Sequence, residues 1–180
     1  MNSFEQHLQV TTDTYRECEQ DIKDVSDVIV KALKAGKKII LCGNGGSAAD
    51  AQHFAAELTG RFENTHRTPL PAIALNDVSS ITAIANDYGY DGVFARTLSA
   101  LGNEGDVIIA ISTSGKSKSV LNSLIVGRDK KMHTILLTGR TGMSKYADHS
   151  INVQSARTSR IQEMHSLILH MICEAIDDAF

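Results

Sequence analysis

An α/β fold, with a parallel sheet covered by helices on both faces, is what this sequence predicts. Three observations predict it. Short continuous apolar runs alternate with segments of helical periodicity along most of the chain. Two of those runs end in glycine- or hydroxyl-rich loops that open directly into a helix, KKIILCGNGGSAADAQHFAAELTGR and GDVIIAISTSGKSKSV. Long amphipathic segments open and close the chain.

Residues 3 to 35 carry Leu8, Val10, Tyr15, Cys18, Ile22, Val25, Val28, Ile29, Ala32 and Leu33 at helical spacing. They form one long helix or two, ended by Gly36. A helix ahead of the first strand lies outside any crossover, so it packs either on a partner subunit or within its own chain. Ile39 to Cys42 reads as a strand buried on both faces. Gly43, Asn44, Gly45 and Gly46 form a loop that can enter backbone conformations a Cβ would forbid. Ser47 is expected to cap a helix that runs through Leu58 and is closed by Gly60.

Glu63 to Pro71 is a polar connection holding both prolines. Ala72 to Leu75 reads as a second buried strand, and Asp77 or Ser79 as the cap of a helix over Ile81 to Ala85. Asn86-Asp87-Tyr88-Gly89-Tyr90 reads as a turn. Val93 to Leu101 is a helix stopped by Gly102. Val107 to Ile111 is again a buried strand, and Ser112, Thr113, Ser114, Gly115 and Ser117 lead from it into a helix from about Lys118 to Arg128. Thr134 to Leu137 and the short Ile151 to Val153 supply the fourth and fifth strands. Arg157 to Phe180 closes the chain as an amphipathic helix. A single domain is expected over 1–180: a helical segment at 1–35 for oligomer packing, an α/β core at 36–156, and a site-bearing helix at 157–180.

Composition narrows the function. The 180 residues suffice to bury a core, and 42% hydrophobic content is ordinary for a soluble domain. A formal net charge of −3 argues against nucleic acid as the main ligand. The three cysteines, Cys18, Cys42 and Cys173, lie far apart and form no CxxC pair, so neither a disulfide framework nor a thiolate metal site is indicated. No run approaches membrane-spanning length and no basic leader opens the chain, so a cytoplasmic protein is expected.

Strand, glycine loop and helix start together make an anion site, because free N–H groups and the helix dipole point at the loop. The second loop repeats the arrangement with more hydroxyls than capping needs, which suits the oxygens of a phosphate. In a parallel sheet such loops lie at the carboxyl ends of the strands, where ligands bind. His53 and Glu57 are one turn apart on the helix after the first loop. They could hold a metal, shuttle protons on a phosphorylated substrate, or form a solvated surface pair. On the last helix, His165 is ambiguous, whereas His7, His66, His133 and His149 read as surface or satisfied core residues. Gln162 and His170 are eight residues apart, which advances a helix by about 12 Å and rotates it by about 80°. One site using both is more easily built from helices of different subunits.

The segments CGNGGSAADAQHFAAELTGR, AIANDYGYDGVFAR, GDVIIAISTSGKSKSV and RIQEMHSLILH resemble those of the sugar isomerase (SIS) domain family, and within it the phosphoheptose isomerases. The likeness runs over nearly the whole chain. STSGKS alone marks only the broad family; HFAAELTGR and RIQEMHSLILH are more discriminating. The resemblance implies a three-layer αβα sandwich on a five-stranded parallel sheet, in a homotetramer with active sites between subunits. It implies one zinc per active site, held by His53, Glu57, Gln162 and His170. It also implies sugar-phosphate contacts from Asn44, Gly45, Gly46, Ser47, Glu57, Arg61, Asn86, Asp87, Ser112, Thr113, Ser114, Ser117 and Gln162. Ser159 departs from relatives that carry an acidic residue just before the RIQE segment.

The implied reaction converts sedoheptulose 7-phosphate to D-glycero-D-manno-heptose 7-phosphate through an enediol(ate), the first step toward activated heptose for lipopolysaccharide or capsule. Glu57 is then the carbon base and His170 its acid/base partner, both roles taken from the resemblance. A zinc-bound carboxylate is a weaker base than a free one, so the two roles of Glu57 pull against each other. The alternative is a non-catalytic tetramer of the same family, a protein adaptor or a sugar-phosphate sensor. Such a protein has less reason to keep His53, Glu57, Gln162 and His170 together.

Overall fold

The computed structural model describes residues 2–142 and 145–180. The elements are α1 (Ser3–Lys34), β1 (Ile39–Gly43), α2 (Gly46–Thr59), β2 (Ala72–Ala74), α3 (Val78–Tyr88), α4 (Val93–Leu101), β3 (Val107–Ser112), α5 (Lys118–Asp129), β4 (His133–Gly139), β5 (His149–Val153) and α6 (Thr158–Asp177). A 3₁₀ turn, Tyr90–Gly92, joins α3 to α4. The strands form one five-stranded sheet in the order β2-β1-β3-β4-β5, with every pairing parallel.

Side-chain alternation along the strands explains the layers. Ile39, Leu41, Val107, Ile109, Ile111, Ile135 and Leu137 face α1, α2 and α6 in one buried cluster. Ile40, Cys42, Ile108, Ala110 and Leu136 point the other way, against Val93, Phe94 and Leu98 of α4 and Val120 and Leu124 of α5. Strands buried on both faces are apolar at every position, which is why they read as continuous runs. Each such side chain taken from water contributes about 1.5–3 kcal/mol before entropy is counted.

The N-terminal segment is one helix. A reciprocal cap opens it, with the Glu5 amide donating to Asn2 Oδ1 and the Asn2 amide to Glu5 Oε2, both at 2.9 Å. Its buried face, including Cys18, Ile22, Val25 and Ile29, packs within its own chain, and the Gln154 amide donates to Thr14 Oγ1 at 3.1 Å. Phe4, Leu8 and Tyr15 remain exposed.

Three expectations are corrected. Ser47 does not cap α2: the helix starts one residue earlier, at Gly46, behind Gly45 at φ +57°, and Ser47 lies buried in the first turn. The N-cap position falls on Gly45, whose positive φ suits glycine and which has no side chain to offer a cap. Asn86, Asp87 and Tyr88 are the last turn of α3 rather than a loop; Asp77 caps that helix, and Gly89 ends it. The strand β2 is shorter than expected and only partly buried, with Ile73 42% exposed, because it is an edge strand with one neighbour. The remaining elements match their expected positions to within a few residues.

Candidate active site

Strand order reverses between β1 and β3, so the loops that follow them diverge and leave a crevice at the carboxyl edge of the sheet. There a pocket of about 200 Å³ is lined by Asn44, Ser47, Ile111, Ser112, Thr113, Ser114, Ser117 and Val120. That volume is below the roughly 300–1,000 Å³ of cavities that enclose whole ligands, and it suits a phosphoryl group. The Asn44 amide donates to Ser117 Oγ at 2.9 Å and to Ser119 Oγ at 3.0 Å, tying the two loops together. Ser117 stands at the N-cap of α5 but makes no capping bond with its side chain. Its hydroxyl belongs to the pocket. The α2 and α5 N-termini both open here, so their leading N–H groups favour an anion.

A second cluster lies farther along α2. His53 Nε2 and Glu57 Oε1 are 2.9 Å apart. The His170 ring stands edge-on to His53, with centroids 5.1 Å apart, and the Phe62 ring lies tilted against it at 5.5 Å. One ligand atom from each of His53, Glu57 and His170 falls within 4.8 Å of the others. Two imidazoles and a carboxylate make a donor set suited to a zinc-class divalent ion. Glu57 is partly buried, while half of the His53 side chain faces solvent.

Gln162 sits elsewhere on α6. Its amide lies against Gly46, so close that a Cβ there would fall 1.7 Å from Nε2. Asp50, on the next turn of α2, accepts from Ser166 Oγ at 2.9 Å. Burial pushes the Asp50 carboxyl above its usual range, opposed by Ser166, Gln162 and His53. Its Oδ2 is buried without a partner of good hydrogen-bond geometry among the described residues. In one chain, then, Gln162 belongs to the cradle end of α2. His53 lies about two turns farther on and Glu57 about three.

Asn86 and Asp87 are exposed at the end of α3, where the Asn86 amide donates to Asp87 Oδ1 at 2.8 Å. Asp87 lines a separate groove between α3 and α4. Arg61 is exposed just after α2.

Several polar residues escaped the sequence reading. The Tyr90 hydroxyl donates to Asn44 Oδ1 at 2.7 Å and so orients the amide that ties the loops. Ser119 completes the same network from inside α5. Arg67, in the polar connection, is fully buried at its side chain and paired with Asp177. The only signal for Ser119 was one more hydroxyl in a hydroxyl-rich loop; Tyr90 and Arg67 gave none.

The comparisons with known proteins agree with this geometry. A family model described as SIS domain matches residues 3–139. A phosphoheptose isomerase of Aliarcobacter butzleri is 51% identical, over 99% of this chain and 95% of its own. A phosphoheptose isomerase structure from Neisseria gonorrhoeae superposes with a TM-score of 0.90 at 40% identity, covering 97% of this chain and 95% of that one. One from Francisella tularensis gives 0.92 at 38% identity, covering 97% and 94%. With a whole-length match in sequence and fold, the chain belongs to the SIS-domain family, among the phosphoheptose isomerases.

Proposed function

We infer that this chain interconverts sedoheptulose 7-phosphate and D-glycero-D-manno-heptose 7-phosphate, a ketose–aldose isomerisation at the entry to heptose biosynthesis. The observation that carries the reading is one helix, α2, with an anion cradle at its start and His53 and Glu57 on later turns. From Gly46 to His53 the helix rises about 10 Å. Six carbon–carbon bonds of about 1.5 Å each, with the terminal phosphate ester, reach a similar distance. Phosphate in the cradle then sets the carbonyl end of the sugar beside His53, Glu57 and His170.

The reaction moves one proton from C1 to C2 and another between the two oxygens. Glu57 carboxylate takes the C1 proton and returns it to C2, and His170 carries the oxygen proton in the same sense, from O1 to O2. Ring contacts with Phe62 and His53 hold the His170 ring in place. His53, Glu57 and His170 would hold a zinc ion, with Gln162 as the fourth donor the resemblance implies. Such an ion, when bound, polarises the sugar carbonyl. Asn44, Gly45, Gly46, Ser47, Ser112, Thr113, Ser114 and Ser117 receive the phosphate, and Asn86, Asp87 and Arg61 meet the sugar hydroxyls. The resemblance implies a homotetramer with sites completed between subunits, and the exposed apolar Phe4, Leu8 and Tyr15 on α1 offer a surface for such packing. Among the described residues no helix is long and apolar enough to cross a membrane.

The test follows sedoheptulose 7-phosphate by NMR with purified protein of known metal content, with and without chelator. Heptose 7-phosphate is expected, and is lost on chelation. Glu57→Gln should keep the fold and sugar binding but lose at least about 100-fold in turnover, the usual worth of a positioned base. Turnover near wild type in that variant removes Glu57 from the mechanism. No conversion by folded, metal-loaded wild type favours the adaptor.

A further inference from the structure

The helices α2 and α6 run side by side and in the same direction. Gly46 meets Gln162, Asp50 meets Ser166, and His53 meets His170, each contact about one turn beyond the last. Beyond the His–Glu–His cluster the seam is closed by a residue from neither helix. Arg67 Nη2 donates to the Glu57 carbonyl at 2.6 Å, and Nη1 donates to the Leu58 carbonyl at 3.0 Å. Arg67 Nε donates to Asp177 Oδ1 at 2.6 Å. Asp177 Oδ2 accepts in turn from the amides of Glu63, at 3.0 Å, and Asn64, at 2.7 Å. The Arg67 side chain is 0% exposed and that of Asp177 9%.

The chemistry of this contact is specific. The last carbonyls of a helix lack partners within it, and a planar fork of N–H donors meets two at once. One of the two belongs to Glu57, the proposed base. Asp177 lies seven residues beyond His170, two turns on and on the same side of α6. A single buried cation thus links the backbone of one site residue to the helix that carries another. We propose that Arg67 is a positioning residue for the isomerase site: with Asp177 it sets the separation of α2 and α6 at Glu57 and His170, and so the spacing of the His53–Glu57–His170 cluster. This rests on the reading of that cluster as a metal and proton-transfer site.

The alternative is that Arg67 only stabilises the fold, and the two ideas differ in what they predict for metal binding. Arg67→Lys keeps a cation beside Asp177 but cannot span both carbonyls. Co²⁺ is titrated into metal-free wild type and variant and read by its visible absorption, with kinetics on sedoheptulose 7-phosphate in parallel. Arg67→Lys should bind Co²⁺ roughly 10- to 100-fold more weakly, the usual effect of losing support behind metal ligands. Its kcat should fall while KM stays within about twofold, because the cradle is untouched. Leu98→Ala, which opens a cavity on the opposite face of the sheet, should lower the melting temperature yet keep wild-type Co²⁺ affinity. Asp177→Asn carries the same expectation as Arg67→Lys and takes its place if the lysine variant does not fold. Wild-type Co²⁺ affinity in the folded variant overturns the proposal and leaves Arg67 a structural residue. Absence of Co²⁺ binding by wild type itself overturns the underlying site reading, and the positioning role with it.

Discussion

His165 offers a test of packing through pH. Its side chain, on the buried face of α6, is wholly buried, and neither ring nitrogen has a partner of good hydrogen-bond geometry among the described residues. Burial drives its pKa from 6.5 down to about 4, with the Thr138 backbone opposing only in part. The folded chain therefore holds the neutral imidazole, while the unfolded chain takes up a proton near pH 6.5. The sign follows: this stability is fully present above 6.5 and lost as pH falls toward 4. The whole interval is worth about 3 kcal/mol at about 1.4 kcal/mol per pH unit, and about 2 kcal/mol of it disappears between pH 7 and pH 5. Urea unfolding of wild type and His165→Met at both pH values, at one fixed protein concentration, isolates the contribution, since other titrating groups are common to the two proteins. Wild type should lose about 2 kcal/mol more than the variant between pH 7 and pH 5. Parallel losses, within about 0.5 kcal/mol, would refute the argument that burial keeps this histidine neutral.

Other expectations follow from the same contacts. Gly43→Ala and Gly46→Ala should part company. A Cβ on Gly43 would lie 2.6 Å from the Ser47 carbonyl oxygen, a backbone atom, so stability should drop by about 1–3 kcal/mol in thermal or urea unfolding. The three atoms nearest a Cβ on Gly46 all belong to the movable Gln162 side chain, so that variant should melt near wild type and lose isomerase activity. Asn44→Ala breaks the bonds to Ser117, Ser119 and Tyr90, and KM for the sugar phosphate should rise about tenfold, the effect of about 1.4 kcal/mol. Cys42 and Cys173 are pushed up to about 12 by burial, so thiol reagents at pH 8 should label neither until denaturant is added. Labelling of either in native protein would show that its helix or strand opens.

Legibility varied with the range of the forces involved. Helix α4 was readable to the residue, because Val93, Phe94 and Leu98 mark its buried face and Gly102 stops it. The doubly buried β3 was readable because no polar residue interrupts Val107 to Ile111. The edge position of β2 was not, since Ala72 to Leu75 is as apolar as a central strand and its single neighbour is a matter of topology. The start of α2 was misplaced for a local reason. Ser47 is a good cap by type, but the left-handed Gly45 had already begun the helix.

Alternating apolar runs and helical stripes determined the fold class, and the two loop motifs marked the segments that line the pocket at the carboxyl edge of the sheet, because strand burial and helix starts depend on neighbours a few residues away. The same spacing placed His53 beside Glu57. Only the tertiary structure decided that His170 completes their cluster, that Gln162 rests on Gly46, and that Tyr90 reaches Asn44. Arg67 and Asp177 are the clearest case: each looks like an ordinary surface charge in the chain, and 110 residues separate them. Burying such a pair is tolerated only where its polar groups find partners; each guanidinium nitrogen of Arg67 has an acceptor, an arrangement made by the packing of α2 on α6 rather than by any local pattern.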